Sequence, residues 1–429
     1  MAVATLTDQT DWLALSDEAV SEPAWLETAR HAAAAHFAQV GLPTLKHEEW
    51  RYTSLKQLKA IAFGGRAAST IVAPELPPCA HHRLVFVDGF YRSELSDDVS
   101  ELGLEVISLR QALEQADDSL ASVLGSSLPE LNQQHGFTAL NTVHFGDGAI
   151  IRLSANQVIE QPIECVYLSS GQQTAFTSHI RNLIVAEHHA ECTVIERYQA
   201  LTEGAYVSNA VTEIIAGAGA NIDHYKITQE AEQAFHIGGV FIEQARAAQV
   251  NTHNIAISGL ITRQDIVTNL NGEGAHIEMN GFVLGQAQQH IDNVTQVNHL
   301  VPNCTSDELY KTVLDDASRS VFRGRIVVAQ DAQLTSAEQQ NNSLLLSEHA
   351  EADSKPQLEI YADDVKCSHG ATVGQLDPKS IFYLNSRGID AQTARALLTF
   401  AFANEVVERI RVEAVRDEMT ALLAGELLN

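Results

Sequence analysis

A cysteine and a histidine stand two residues apart in the stretch DDVKCSHGATVGQLD, and of all the residues in this chain they are the pair best suited to chemistry. Residues two apart on a strand project from the same face, so Cys367 and His369 would bring a thiol and an imidazole within reach of one ion or one partner group. A soft thiolate beside an imidazole suits iron, zinc or sulfur chemistry. Two ligands are too few to close a tetrahedral site, so a second chain or a transient cluster would have to supply the others. The plainer alternative is a strand end running into a turn, with Gly370 and Gly374 serving turn geometry; the same two glycines would equally permit movement. Both readings stand on residue types alone.

The other candidates carry less. There are 18 histidines and five cysteines, so isolated ones mean little. The run CAHH, Cys79 to His82, has metal-like spacing but sits in a proline-rich connector with no second ligand pair. His188 and His189 open a strand at a corner, where neighbours point in opposite directions and chelate one ion poorly. Cys165, Cys192 and Cys304 fall in strand or loop settings, where a buried thiol behaves as a small hydrophobe. No G-x-x-x-x-G-K-[ST] loop, G-x-S-x-G elbow or strand–G-x-G-x-x-G–helix unit appears, so the chain is not expected to hydrolyse ATP or to be an enzyme of those classes.

Composition narrows the setting. The chain has 429 residues, 45% of them hydrophobic and 19% charged, which is enough to bury a substantial core. Its formal net charge of -28 repels phosphate backbones and anionic headgroups, so neither nucleic acid nor a membrane surface is an expected partner. No run reaches the roughly 18 to 20 apolar residues that span a bilayer. The first residues carry acids where a signal peptide needs a basic segment, and the scattered, odd cysteines fit free thiols in a reducing cytoplasm.

Three regions would have to position the Cys/His pair: an N-terminal helical region with a short β-hairpin (1–135), a strand-rich core (136–375) and a C-terminal helical region (376–429). In the first, Trp25, Ala29, Ala33, Phe37 and Val40 recur at helical spacing before Gly41 and Pro43. KHEEWRYTSLKQL reads as an ordered connector into a short helix, and Asp88-Gly89 as a hairpin turn. A helical stretch follows with Leu109, Leu113, Leu120 and Leu124. From about Phe137 to Lys366 helical periodicity nearly vanishes. There a small or polar residue, an alanine, any residue and an apolar one recur at His189, Gly219, Ala247, Gly274 and Asp331, about every 27 to 30 residues with one gap of twice that. Periods of this size signal a solenoid, in which short one-faced strands stack to line a common core and small residues turn the corners. A flat β-sandwich is the alternative. In the last region Asp390 would cap a helix whose Ala394, Leu397, Leu398, Ala401, Phe402 and Val406 form an apolar stripe. Phe400 lies off that stripe, free to serve a partner or the core, with the core preferred.

The wording of several segments goes further than their periodicity. LEIYADDVKCSHGATVGQLD, IFYLNSRGI, SVFRGRIVV, AQLTSAEQQNNSLLLS, DSKPQLEI and GLPTLKHEEWRYTSL closely resemble the signatures of the SufD family, subunits of the SUF machinery that assembles iron–sulfur clusters. The related SufB family carries an acid-His-acid triplet where this chain has Cys367-Ser368-His369-Gly370, and this departure together with the EEWRYT segment makes the resemblance one to SufD. It implies a mainly β fold, a right-handed parallel β-helix (solenoid) flanked by N-terminal and C-terminal α-helical regions. It implies a non-catalytic scaffold that pairs with a SufB paralogue at the C-terminal end of the β-helix, or with itself in isolation, and docks the ATPase SufC on its terminal helices. Leu397, Phe400, Phe402 and Val406 are the docking candidates. His369, and after it Cys367, would be transient ligands of a nascent cluster shared with SufB. A flavin held by the complex fits the resemblance, although no residue here specifies one. Two other readings compete: a β-helix polysaccharide lyase, which would want basic groove residues and secretion, and an ATPase adaptor without chemistry of its own.

Overall fold

The computed structural model describes residues 4–5, 9–14, 22–63, 82–99, 105–115, 117–171 and 175–428. The run CAHH lies outside them except for His82. Short helices α1 (Gln9–Leu13), α2 (Ala24–Val40), α3 (Lys56–Lys59), α4 (Leu109–Glu114) and α5 (Gly136–His144) come first. Among them lie β1 (Ala4–Thr5) paired antiparallel with β2 (Ala62–Phe63), the hairpin β3 (His82–Val87) and β4 (Phe90–Tyr91), and β5 (Glu105–Ser108) antiparallel to β6 (Ala149–Leu153).

The strands then run almost without interruption. They are β7 (Ile163–Ser169), β8 (Phe176–Ala186), β9 (Glu191–Ala200), β10 (Tyr206–Ala216), β11 (Asn221–Gln229), β12 (Phe235–Gln244), β13 (Gln249–Ala256) and β14 (Ile261–Leu270). After them come β15 (His276–Gly285), β16 (His290–His299), β17 (Thr305–Leu314), β18 (Arg319–Val328), β19 (Ser336–Leu345), β20 (Glu351–Ile360) and β21 (Lys366–Gly374). Even strands from β6 to β20 form one sheet and odd strands from β7 to β21 the other, every pair within these series parallel. Each coil therefore gives one strand to each of two facing sheets. The fold is a parallel β-solenoid with helices at both ends of the chain, and the sandwich alternative is excluded because strands two apart in sequence pair parallel along the whole of both sheets.

The repeat found in the sequence is the corner of this solenoid. His189, Gly219, Ala247 and Gly274 all adopt positive φ, between 55° and 77°. The alanine after each, Ala190, Ala220, Ala248 and Ala275, is 0% exposed. A left-handed residue turns the chain, and the next side chain points into a corner too tight for more than a methyl group. The double gap is filled by Asn303, φ 61°, and Cys304, whose thiol takes the place of the methyl group. Asp331-Ala332 is out of register. The true corner there is Leu334, φ 61°, followed by buried Thr335, so Leu334 lies exposed in the turn rather than opening a strand.

Three further expectations are corrected. Phe137 opens α5 rather than a strand region, because that helix is nine residues long and buried nearly all round against α2 and the even sheet, which leaves no polar face to give it periodicity. Leu109 and Leu113 lie in α4 and Leu120 in a separate 3-10 turn over Asp118–Ser122, with Leu124 in the turn beyond it, not in one helix. The C-terminal elements are α6 (Pro378–Ser386), α7 (Ala391–Val407) and α8 (Glu413–Leu428). The inward face of α7 is Ala396, Thr399, Ala403, Val406 and Val407 with Ala394, which is rotated from the expected stripe; Leu397 is 42% exposed.

Each broad face of the solenoid is covered by one terminal region. Phe37, Trp50, Phe137 and Leu140 pack on Val207, Phe235, Ile237 and Ile261 of the even sheet. The Arg263 guanidinium lies 4.0 Å from the Trp50 ring centroid and donates to the Glu49 carbonyl, and Thr53 donates to Asp292 at 2.5 Å, so the EEWRYT segment is bound to strands more than 200 residues away. On the odd sheet, Ala403, Val406, Val407, Ile410, Val415, Met419 and Leu423 pack on Tyr225, Ile227, Phe282 and Leu309. Arg411 bonds Asp223 and Glu278, and Arg197 holds Glu418 through two 2.8 Å hydrogen bonds.

Candidate functional site

The stretch Lys366–Gly374, which carries Cys367 and His369, is β21, the last strand of the solenoid. It pairs with β19 in register, Cys367 beside Ala337 and His369 beside Gln339, and no described strand pairs with its other edge. Along β19 the odd-numbered residues Ala337, Gln339 and Asn341 are buried while Ser336 and Glu338 are exposed. The odd residues of β21 therefore share the inward direction. Cys367 ends the inward column Cys192, Ile222, Val250, Ile277, Ser306, Ala337, and His369 ends the column Val194, His224, Thr252, Met279, Glu308, Gln339.

Both columns stop at an open mouth. Cys367 is half-buried against the apolar lumen, where burial pushes its thiol pKa up. His369 faces inward yet is exposed because no coil follows. Same-face neighbours on a strand sit about 7 Å apart, so the pair can flank one bound group. Among the described residues no cluster of three or more His, Cys, Asp or Glu side chains could hold a metal ion.

Neither glycine beside the pair is in a turn. Gly370 and Gly374 are strand residues without positive φ, and a Cβ on either would meet nothing within 4 Å. The turn reading is corrected: the chain leaves β21 through Gln375-Leu376, and Asp377 caps α6 by accepting from the Lys379 amide at 3.1 Å, with Pro378 at the first helical position. Asp390 likewise caps α7, accepting from Thr393 at 3.0 Å.

The other expected docking residues divide. Leu397 is exposed, Phe400 and Phe402 are half-buried at the edge of the helix–sheet core, and Val406 is 2% exposed inside it. Val406 is thus corrected from a surface contact to an anchor of α7. Phe382 at 74% and Tyr383 at 56% exposure on α6 are the large apolar side chains that sequence reading missed. They had no stripe to mark them, because α6 buries no residue at all. Cys165, Cys192 and Cys304 are buried as expected, with Cys192 pushed up to about 12 by burial. The His188 and His189 rings stand 5.9 Å apart at 79°, turned away from joint chelation.

Fold and site together define a class of protein: a two-sheet parallel β-solenoid, helix-clad on both faces, whose C-terminal coil is left open with a thiol and an imidazole at its mouth. The family follows from comparison with known proteins. The SUF system FeS cluster assembly SufBD core domain matches residues 167–402, and the SufBD N-terminal region matches residues 15–165. The iron-sulfur cluster assembly protein SufD of Escherichia coli is 34% identical over 91% of this chain and 90% of its own length. A SufBD family iron-sulfur cluster assembly protein of Synechocystis is 31% identical over 95% of this chain and 93% of its own. The SufD of Bacillus subtilis is 29% identical over 68% and 66%. The chain belongs to the SufBD family of iron–sulfur cluster assembly proteins, which removes the polysaccharide lyase reading.

Proposed function

We propose that this chain is a SufD-type scaffold that completes a cluster-building junction with a SufB-type paralogue. The observation that carries the reading is the placement of Cys367 and His369 on the inward face of β21, which ends its sheet with one edge free of any described strand. Both sheets end here, but differently. β20 is defended by Pro356 and by ion pairs from Arg319 to Asp353, Arg325 to Glu359 and Lys355 to Glu48. β21 carries no proline and no charge beyond Lys366. An undefended edge of nine residues invites strand addition by another chain, which would close the open coil and bring the missing ligands. A second copy of this chain would use the same edge when the paralogue is absent.

The nascent cluster is cargo, and the residues here act on it by offering donors. His369 presents a ring nitrogen without first leaving a protein core, and Cys367, whose thiol pKa is raised by burial, follows once a cation stabilises the thiolate. ATP hydrolysis belongs to a SufC-type partner, docked on α6 and α7 through Phe382, Tyr383, Leu397, Phe400 and Phe402. Motion of those helices would reach β21 directly, since only three residues separate it from α6. We place this work in the cytoplasm, where the four described cysteines stay free; no described helix is long and apolar enough to cross a membrane.

Co-expression with the paralogue and the ATPase, followed by anaerobic iron and sulfide analysis, tests the reading. With His369→Ala the assembly should persist while cluster yield collapses. An undiminished yield would leave the ATPase-adaptor reading and remove His369 from the site.

A further inference from the structure

The rung beneath His369 holds a fully buried amide with one polar atom unpaired among the described residues. Gln339 is 0% exposed, and it lies beside His369 in register on the same inward face. Its amide nitrogen donates to Glu308 Oε2, one rung deeper, at 2.5 Å. The amide crosses the lumen above Gly324 of the opposite sheet, where a Cβ would come within 2.1 Å of the nitrogen, so glycine is what gives it room. An ionised carboxylate can only accept, so with Glu308 ionised the amide is held with its NH2 toward Glu308 and its oxygen elsewhere. That oxygen is buried and has no hydrogen-bond partner among the described residues. Buried carbonyl oxygens without partners are uncommon, and this one sits at the last covered rung before the open mouth.

We propose that Gln339 is the positioning residue for His369: its Oε1 accepts the N–H of one His369 ring nitrogen, fixing the tautomer so that the other nitrogen carries its lone pair toward the junction. The inference rests on the site reading above. Neighbouring strands in the stack are about 4.8 Å apart, and the exposed imidazole would meet this oxygen by turning about its own side-chain bonds. Histidines that bind metals almost always donate the second ring N–H to an oxygen acceptor, which sets ring orientation and raises the basicity of the ligating nitrogen. Glu308 acts one step further back by keeping the amide from flipping. The series Glu308, Gln339, His369 thus runs from the closed lumen to the mouth.

The test uses the purified full chain with 15N-labelled histidine rings, at an alkaline pH well above the value of about 7 to which burial raises Glu308. The His369 signals are identified by their loss in His369→Ala. The wild-type ring should show one dominant tautomer, and Gln339→Met should reduce that bias on the order of fivefold, the ratio set by one neutral hydrogen bond. Since Gln339→Met leaves Glu308 unpaired, the double variant Glu308→Leu/Gln339→Met removes both partners and should show the same loss of bias in a chain without a buried orphan carboxyl. Gln340→Met, on the outward face, should change nothing. An identical tautomer ratio in wild type, single and double variants overturns the inference. That outcome is separate from the cluster-yield test, which addresses the site whatever holds its histidine.

Discussion

At the residue scale, the lumen is unusual in how many polar groups it shelters. Tyr167, Asn182, Tyr198, Glu196, Thr212, His224 and Thr252 form one hydrogen-bonded network through several coils, with Tyr198 donating to Glu196 at 2.6 Å and His224 bonding both Glu196 and Thr252. Glu196 is held down at about 2 because the hydrogen bond and charge of His224 and the charge of Lys226 outweigh its burial. Glu308 has no such cation, and burial raises it from 4.5 to about 7. Its folded-state pKa is therefore above its unfolded one, so the native chain binds the extra proton. The stability linked to this group is fully present below pH 4.5 and is lost as pH rises through about 7, by about 3 kcal/mol at most. Glu308→Gln, which keeps the shape and a donor for the neighbouring groups, should flatten that decline. Urea titrations of both chains at the two ends of the window would show it, and parallel curves would place the ionisation elsewhere.

At the scale of elements, α7 shows why an amphipathic pattern alone misplaces a face. The largest apolar residues, Leu397, Leu398, Phe400 and Phe402, suggest one stripe, yet the face that meets β15 and β17 is built from Ala396, Thr399, Ala403 and Val406. Small residues let the helix lie close to the sheet, while the bulky ones occupy its margins. Val406→Ala should destabilise the chain by about 2 kcal/mol through lost burial and a cavity. Leu397→Ala should stay within about 0.5 kcal/mol, as for most exposed positions, and should instead weaken capture of the proposed ATPase partner. Denaturation midpoints and a pull-down of the two variants separate these outcomes; equal losses of stability would show that Leu397 is structural.

At the scale of the whole molecule, charge and shape act together. A formal charge of -28 is carried on an elongated stack held by sheet pairing and by two helical flanks. Mutual repulsion of that charge opposes compaction, and salt screens it. Raising ionic strength from a few millimolar to physiological values should therefore raise the melting temperature, on the order of 2 °C for roughly 1 kcal/mol of screened repulsion. A falling melting temperature would mean that the ion pairs of Arg197, Arg263 and Arg411 outweigh the net charge.

The sequence by itself determined the solenoid, because each coil must turn at a corner where only a left-handed residue and then a very small side chain fit, and that demand repeats at a period visible in the chain. It also determined that Cys367 and His369 share a face, since strand geometry alternates with period two whatever surrounds it. Only the tertiary structure decided that their strand is the last of its sheet, with one edge free of any described strand, which α7 residues reach the sheet, and that Gln339 and Glu308 stand directly behind His369. Those facts depend on register between segments about 30 residues apart and on the rotation of a helix against a sheet. No local pattern encodes such relations, because they are set by how whole surfaces pack.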